Sequence, residues 1–195
     1  MNKNVILTDI DGVILAWEYS FNCWMEQHGH KQISGGNLKY NIGKRYGIDD
    51  EEGKRLIKYF NESASIGFLP PHRDSIHYVR RLHEEHGYVF HAITSLSKDQ
   101  NSCKLREMNL KKLFGETAFE KFVFLDTGAD KDEALIPYKD SGLYWIEDKI
   151  DKCRVGYDLG LKSLLMTHGH NMDHVDPKIP VVKNWAHVYS IITGN

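Results

Sequence analysis

The sequence predicts an α/β fold: a parallel sheet covered by helices, with a helical insertion after the first strand. Three observations lead there. Five short apolar runs recur at 5–7, 88–93, 122–125, 143–146 and 163–166. They are apolar nearly throughout rather than alternating, as strands buried on both faces are. Helix-like stretches separate the later runs, which is the pattern of βαβ units with right-handed crossovers. Finally, acidic and hydroxyl side chains gather just past the ends of these runs.

The elements follow in order. The first run, Val5-Ile6-Leu7, leads into Thr8-Asp9-Ile10-Asp11-Gly12-Val13. It is too short for a signal-peptide core, and no segment approaches the length of a membrane span. Residues 15–87 then break the strand–helix rhythm, with helix-like segments at 18–28, 38–46 and 49–62 and no convincing strand. Ser34-Gly35-Gly36 separates the first two segments and Pro70-Pro71 closes the region. A helix is expected over 75–86, and the run 88–93 ends in Thr94-Ser95. Helices at 102–114, 132–138 and 150–159 alternate with the remaining runs. The last helix, 185–193, is expected to dock through Trp185, Val188 and Ile192.

A chain of 195 residues is long enough to bury a core without a disulfide or metal staple. Hydrophobic residues at 41% and charged residues at 27% exclude a disordered or collagen-like chain. A net charge of -2 argues against a protein built to grip nucleic acid or an anionic membrane. Cys23, Cys103 and Cys153 form no CxxC pair. Free thiols in a reducing, cytoplasmic compartment are therefore expected.

Open parallel sheets bind ligands at the carboxyl ends of their strands. Those ends carry Asp9 and Asp11, then Thr94-Ser95, then Glu147-Asp148, with Lys131 ahead of the helix at 132–138. Clustered carboxylates repel one another and call for a cation, and oxygen ligands suit Mg²⁺. A phosphate dianion needs donors and positive charge, which Thr94, Lys131 and Mg²⁺ supply. One carboxylate can attack phosphorus, and a second two residues on can serve as acid and then as base. The chemistry that fits is phosphoryl transfer.

Asp9-Ile10-Asp11-Gly12-Val13, Thr94, Lys131 and Glu147-Asp148, in that order, resemble the four motifs of the haloacid dehalogenase superfamily of phosphatases. The resemblance implies a Rossmann-like core. Residues 13–94 separate Gly12 from Ser95, but only 96–130 separate Ser95 from Lys131. That long first gap resembles the family's type-one cap. The implied division is a core of 1–16 and 86–195 with a small helical cap at 17–85. Within the superfamily the chain is most similar to the 5′(3′)-deoxyribonucleotidases. That likeness rests further on Gly67-Phe68-Leu69, Asp130-Lys131, Thr167 with His170-Asn171, and Asn184-Trp185. Leu96 and Glu147 depart from that group's proline and first aspartate, and the cap matches it poorly.

The resemblance implies that Asp9 is the nucleophile and Asp11 the acid–base group. Thr94, Ser95 and Lys131 would face the phosphate, and Mg²⁺ would sit on the Asp9 carboxylate, the Asp11 main-chain carbonyl and Asp148. The expected substrate is a phosphomonoester, a (deoxy)nucleoside monophosphate above all. Sugar phosphates and nucleic-acid 3′-phosphates are the alternatives, and a silent binding or phospho-acceptor module is a weaker rival. Neither membrane attachment nor stable nucleic-acid binding is expected, and a homodimer is compatible with the sequence. Trp17 stands where the nucleotidases carry an aromatic that stacks on the base. A tryptophan plugging the seam between cap and core fits equally. The histidine-rich tract 168–176 is read as a polar surface loop, with a zinc site as the alternative.

Overall fold

β1 (Asn4–Thr8) lies in the middle of the sheet, and its burial rises along its length. The computed structural model describes residues 4–173 and 176–194. After β1 come α1 (Trp17–Gln27), α2 (Ile42–Tyr46), α3 (Asp50–Asn61) and α4 (Ser75–Glu84). Next are β2 (Tyr88–Thr94), α5 (Gln100–Phe114), β3 (Phe119–Phe124), α6 (Asp132–Leu135) and β4 (Tyr144–Glu147). The chain closes with α7 (Ile150–Asp158), β5 (Lys162–Met166), β6 (Val181–Val182) and α8 (Trp185–Thr193).

The strands pair in parallel in the order β3-β2-β1-β4-β5-β6. Successive strand residues face opposite sides, so one face packs Ile6, Phe90 and Ile146 and the other packs Leu7, Ile93 and Trp145. The winding runs from β1 out to β3 and then crosses back to β4. Ligand crevices form where the winding reverses, here between the carboxyl ends of β1 and β4. Thr8 pairs with Ala92 on one side and Ile146 on the other, and Asp9 N donates to Ile146 O at 2.9 Å. This register brings Asp9, Thr94 and Glu147 to one edge.

α3, α5 and α8 start where short polar side chains satisfy their free N–H groups. Asp49 accepts from Glu51 N at 2.9 Å, Asp99 from Ser102 N at 2.8 Å, and Asn184 from His187 N at 3.0 Å. The acidic first turn of α3 (Asp50, Glu51, Glu52) also suits its positive dipole end. Asp74 accepts from Trp185 N and Ala186 N at 2.9 and 3.0 Å, which docks α8 beside α4.

The insertion leaves and returns on adjacent extended segments. Leu15 and Pro71 form an antiparallel bridge, Ala16 N donates to Pro70 O at 2.9 Å, and His72 N donates to Ile14 O at 2.8 Å. Inside it, Phe21 of α1 and Phe60 of α3 are fully buried, with ring centroids 5.4 Å apart.

Beside the packing of α4, three expectations change. α4 falls inside the 17–85 segment but packs on the sheet side: Val79 and Leu82 are fully buried, and Arg81 Nη2 donates to Tyr189 Oη of α8 at 3.0 Å. The two limbs of the insertion meet at Leu15 and Pro71, ahead of α4. The stretch 38–46 divides into a short 3-10 helix (Gly36–Leu38) and α2. β3 begins at Phe119, ahead of the apolar run that announced it. β6 is new, and its two residues pair with Leu165 and Met166, too short a span to carry any periodicity. Among the described residues the three cysteines are free, and no helix is long and apolar enough to cross a membrane.

Candidate active site

The turn after β1 is held from several sides. Ile10 O accepts from Val13, Ile14 and Leu15 N at 3.3, 2.9 and 2.9 Å, which folds residues 10–15 into a tight loop. Gly12 adopts φ +80°, and a Cβ there would stand 2.7 Å from Asp148 Oδ2, so both conformation and space demand glycine. Two distant side chains fasten the loop. His168 Nε2 lies 2.7 Å from Gly12 O and must carry the proton, because a carbonyl only accepts. Trp185 Nε1 donates to Val13 O at 2.8 Å.

Asp9 is buried at the head of this loop. Its Oδ1 accepts from Ile10 N at 2.7 Å, and its Oδ2 lies 2.8 Å from Lys131 Nζ. Lys131 also reaches Glu147 Oε2 at 2.8 Å. Glu147 Oε1 accepts from Asp148 N and Lys149 N at 3.0 and 3.1 Å, so this carboxylate braces the lysine and the β4–α7 turn together. Burial pushes the Asp9 carboxyl up to about 6; Lys131 pulls against it, and Glu147 adds to it. Burial likewise raises Asp148 to about 6, with the Asp9 charge contributing. Burial opposes the Lys131 ammonium, yet the Asp9 and Glu147 carboxylates outweigh it and hold its pKa above the ordinary lysine value.

Asp11 is the more open of the two aspartates. Its Oδ1 sits 2.6 Å from Nη1 of Arg106, a fully buried residue of α5. Burial raises its carboxyl and Arg106 counteracts the rise. Thr94 Oγ1 is buried with no hydrogen-bond partner among the described residues, an orphaned donor at the strand edge. Ser95 Oγ is engaged, donating to Ala129 O at 2.8 Å. Asp9, Asp11, Thr94, Ser95, Lys131 and Asp148 line one cavity of about 600 Å³, whose far wall is made by the insertion, whereas Arg106 and Glu147 do not.

Trp17 lines the same cavity. One face of its indole stacks on Phe21 at 4.7 Å, and its Nε1 donates to Asn61 Oδ1 at 2.8 Å. It is thus anchored among the insertion's aromatic rings while bordering the cavity. Trp24 packs on Phe60, as cap core. Lys98 pairs with Asp126 at 3.2 Å on the surface, and Asp151 pairs with Arg154 at 3.3 Å; neither lines the cavity.

Ligand oxygens of Asp9, Glu147 and Asp148 lie within 4.8 Å of one another, the one three-ligand group among the described residues. Lys131 answers part of this negative charge. What remains is buried and supplied entirely by oxygen donors, which fits a hard divalent cation such as Mg²⁺ and not zinc. The tract 168–176 contributes no such group among the described residues. His174 lies outside them. In this loop Gly169 and Met172 are exposed, but the side chains of His168 and Asn171 turn inward. His168 stacks on His72 at 5.0 Å and on His170 at 5.5 Å, and burial lowers the pKa of His168. Asn171 pins the turn through Nδ2 bonds to Asp148 O (2.7 Å) and Met166 O (2.9 Å).

Sequence reasoning missed Arg106 and His168 as neighbours of the loop. Arg106 stands in an ordinary helix, 95 residues from Asp11, with no local signal to mark it. His168 offered a hint only as part of a polar tract.

No family model matches the chain. It is 29% identical over 159 residues to an uncharacterized 32.4 kDa protein from the Gp30-rIII intergenic region of Enterobacteria phage T4. That alignment covers 77% of this chain and 56% of the phage protein, so the chain spans about half the length of that relative. A haloacid dehalogenase-like hydrolase from Streptococcus pneumoniae superposes with a TM-score of 0.68 at 13% identity, covering 97% of this chain and 98% of that one. A predicted phosphoglycolate phosphatase from Haemophilus somnus gives 0.64 at 13% identity, with 98% and 99% covered. The D,D-heptose 1,7-bisphosphate phosphatase of B. bronchiseptica, solved with magnesium and phosphate, gives 0.58 at 10% identity, with 98% of each chain covered. At such identities the likeness concerns the fold. This chain has the Rossmann-like α/β fold of the haloacid dehalogenase-like hydrolases.

Proposed function

We propose that the chain is a Mg²⁺-dependent phosphomonoester hydrolase of the haloacid dehalogenase superfamily, acting through an aspartyl-phosphate on a nucleoside monophosphate. One observation carries the reading: Asp9, Asp148 and Lys131 line the cavity together with Asp11 and with Thr94, whose hydroxyl has no hydrogen-bond partner among the described residues. An Asp9 carboxylate oxygen attacks phosphorus while the ester P–O bond breaks, and Asp11 delivers its proton to the departing oxygen. Asp11 then takes a proton from water, whose oxygen attacks the phosphorus of the aspartyl-phosphate and frees Asp9. Thr94 and Lys131 donate to the transferring oxygens. Mg²⁺ would be held by the Asp9 and Asp148 carboxylates and the Asp11 main-chain carbonyl. When bound, it neutralises charge on the phosphoryl group. The insertion covers the reacting groups and limits water.

The nucleotide assignment rests on Trp17 at the cavity wall and on the motif resemblance. Lys58 and Lys149 on the cavity lining favour a substrate with a second anionic group as the alternative. A Mg²⁺-containing screen of nucleoside monophosphates, sugar phosphates, bisphosphates and 3′-phosphate oligonucleotides separates these. Preference for sugar phosphates would overturn the nucleotide assignment alone. Hydrolysis of none would overturn the phosphatase.

The buried carboxylates predict how the cation affects stability. Asp9 and Asp148 titrate near 6 in the fold against 3.8 ordinarily, so the fold prefers them protonated. Their contribution is favourable below about 3.8 and is lost as pH rises through about 6. Above that range the ionised pair needs a cation. At about 100-fold excess over Kd, Mg²⁺ should add about 2.7 kcal/mol at pH 8, a rise of about 5–10 °C in Tm, and far less at pH 5. His72 and His170, lowered by burial to about 3 and 4, have the opposite pH trend. Differencing scans with and without Mg²⁺ removes them. An equal Mg²⁺ effect at both pH values would reject these carboxylates as the site.

A further inference from the structure

Arg106 is fully buried in the middle of α5, yet it does not line the cavity. Its Nη1 lies 2.6 Å from Asp11 Oδ1. Its Nε and Nη2 have no hydrogen-bond partner among the described residues. Asp11 is therefore the sole polar anchor of this guanidinium among those residues. Burying a guanidinium is costly, and leaving two of its donors unpaired adds to the cost. A surface ion pair would carry no such cost, so this pairing calls for a role.

The helix around Arg106 is itself held firmly. Asn109, on the same stretch of α5, donates through Nδ2 to Leu69 O at 3.0 Å. Leu105 packs where a Cβ on Gly67 would stand, 3.1 Å away. The same turn of helix thus grips the returning limb of the insertion and, through Arg106, the carboxylate of Asp11. The Asp11 side chain keeps 22% of its surface exposed, on the cavity side, while Arg106 keeps none. One carboxylate oxygen is tied back to α5, and the group is turned by that tie toward the cavity.

We propose that Arg106 is a positioning residue for Asp11. It fixes one oxygen of the carboxylate so that the other meets the ester oxygen in the first step and the water in the second. The proposal rests on the reading of Asp11 as the acid–base group. A free aspartate would sample several rotamers, and misplacement of a reacting group by about 1 Å can cost about 10²-fold in rate.

Single-turnover formation of the phosphoenzyme, with Mg²⁺, tests this on phenyl phosphate and p-nitrophenyl phosphate. The two have closely similar shapes but differ in how much the leaving phenolate needs a proton. Arg106→Met is expected to slow formation from phenyl phosphate by about 10–100-fold and from p-nitrophenyl phosphate by much less, with KM little changed. Arg106→Lys should restore part of the rate, since it keeps the charge but loses the planar fork. In an Asp11→Asn background Arg106→Met should add no further loss, because residues acting as one unit are non-additive. Wild-type rates in a folded Arg106→Met protein, equal slowing with both substrates, or losses that multiply in the double variant would each overturn the proposal. If Arg106→Met does not fold, Arg106→Lys carries the same comparison, and unchanged or leaving-group-independent rates overturn it. A wild-type protein that forms a phosphoenzyme while the Arg106 variants behave identically to it rejects this role alone. A wild-type protein that turns over neither substrate rejects the phosphatase reading and this role with it.

Discussion

Asp9→Asn is expected to abolish turnover while leaving the fold intact. An amide is a poor nucleophile, and removing a covalent nucleophile elsewhere has cost about 10⁶-fold in kcat. The side chain's Oδ1 would still accept from Ile10 N, so the loop keeps its local bond. Lys131 would lose Asp9 but retain Glu147 at 2.8 Å. Because the ionised Asp9 is disfavoured by burial, its removal relieves repulsion with Glu147 and Asp148 above about pH 6. The far-UV circular dichroism and Tm of Asp9→Asn should therefore match or exceed the metal-free wild type. Rapid quench with a radiolabelled phosphomonoester should show label on the wild-type protein, lost on treatment with hydroxylamine, and none on the variant. Turnover by Asp9→Asn near the wild-type rate would sink the covalent mechanism.

The second large effect concerns Asp11→Asn, and its size should depend on the leaving group. General acid–base catalysis is worth about 10²–10⁴-fold. A nucleotide's alkoxide leaves badly without a proton, whereas p-nitrophenolate leaves well. Formation of the phosphoenzyme from a nucleoside monophosphate should slow by that full factor, and formation from p-nitrophenyl phosphate far less. Breakdown should be slow from both, since water then lacks its base. The structure adds a stability cost that the motif alone did not suggest. Asparagine can still accept a bond from Arg106, but the buried guanidinium loses its counter-charge. A loss of about 1–3 kcal/mol is expected, readable as a shift in the urea midpoint. Equal slowing of formation from both substrates would reject the acid role for Asp11.

The fold was largely legible because its signals are local. A parallel strand buried on both faces needs an unbroken apolar run, so β1, β2, β4 and β5 announced themselves within a residue or so of their true bounds. The acids at the strand ends were equally plain, because strand order and ligand crevice are linked by topology. β6 was hidden since a two-residue strand exists only through its pairing with β5. The packing of α4 beside α8 on the sheet side was hidden for a similar reason. Its apolar stripe shows that one face is buried, but not whether sheet or cap covers it.

The sequence by itself determined which chemical groups this protein carries and in what order: Asp9 and Asp11, Thr94, Lys131, Glu147 and Asp148. Only the tertiary structure decided what each one faces. It turned Ser95 toward Ala129 and anchored Trp17 on Phe21 and Asn61. It drew His168 inward to the Gly12 carbonyl and set the Arg106 guanidinium behind Asp11. The physical reason is range. Periodicity and capping act over a few residues, whereas a buried charge finds its partner across whichever elements the packing brings together.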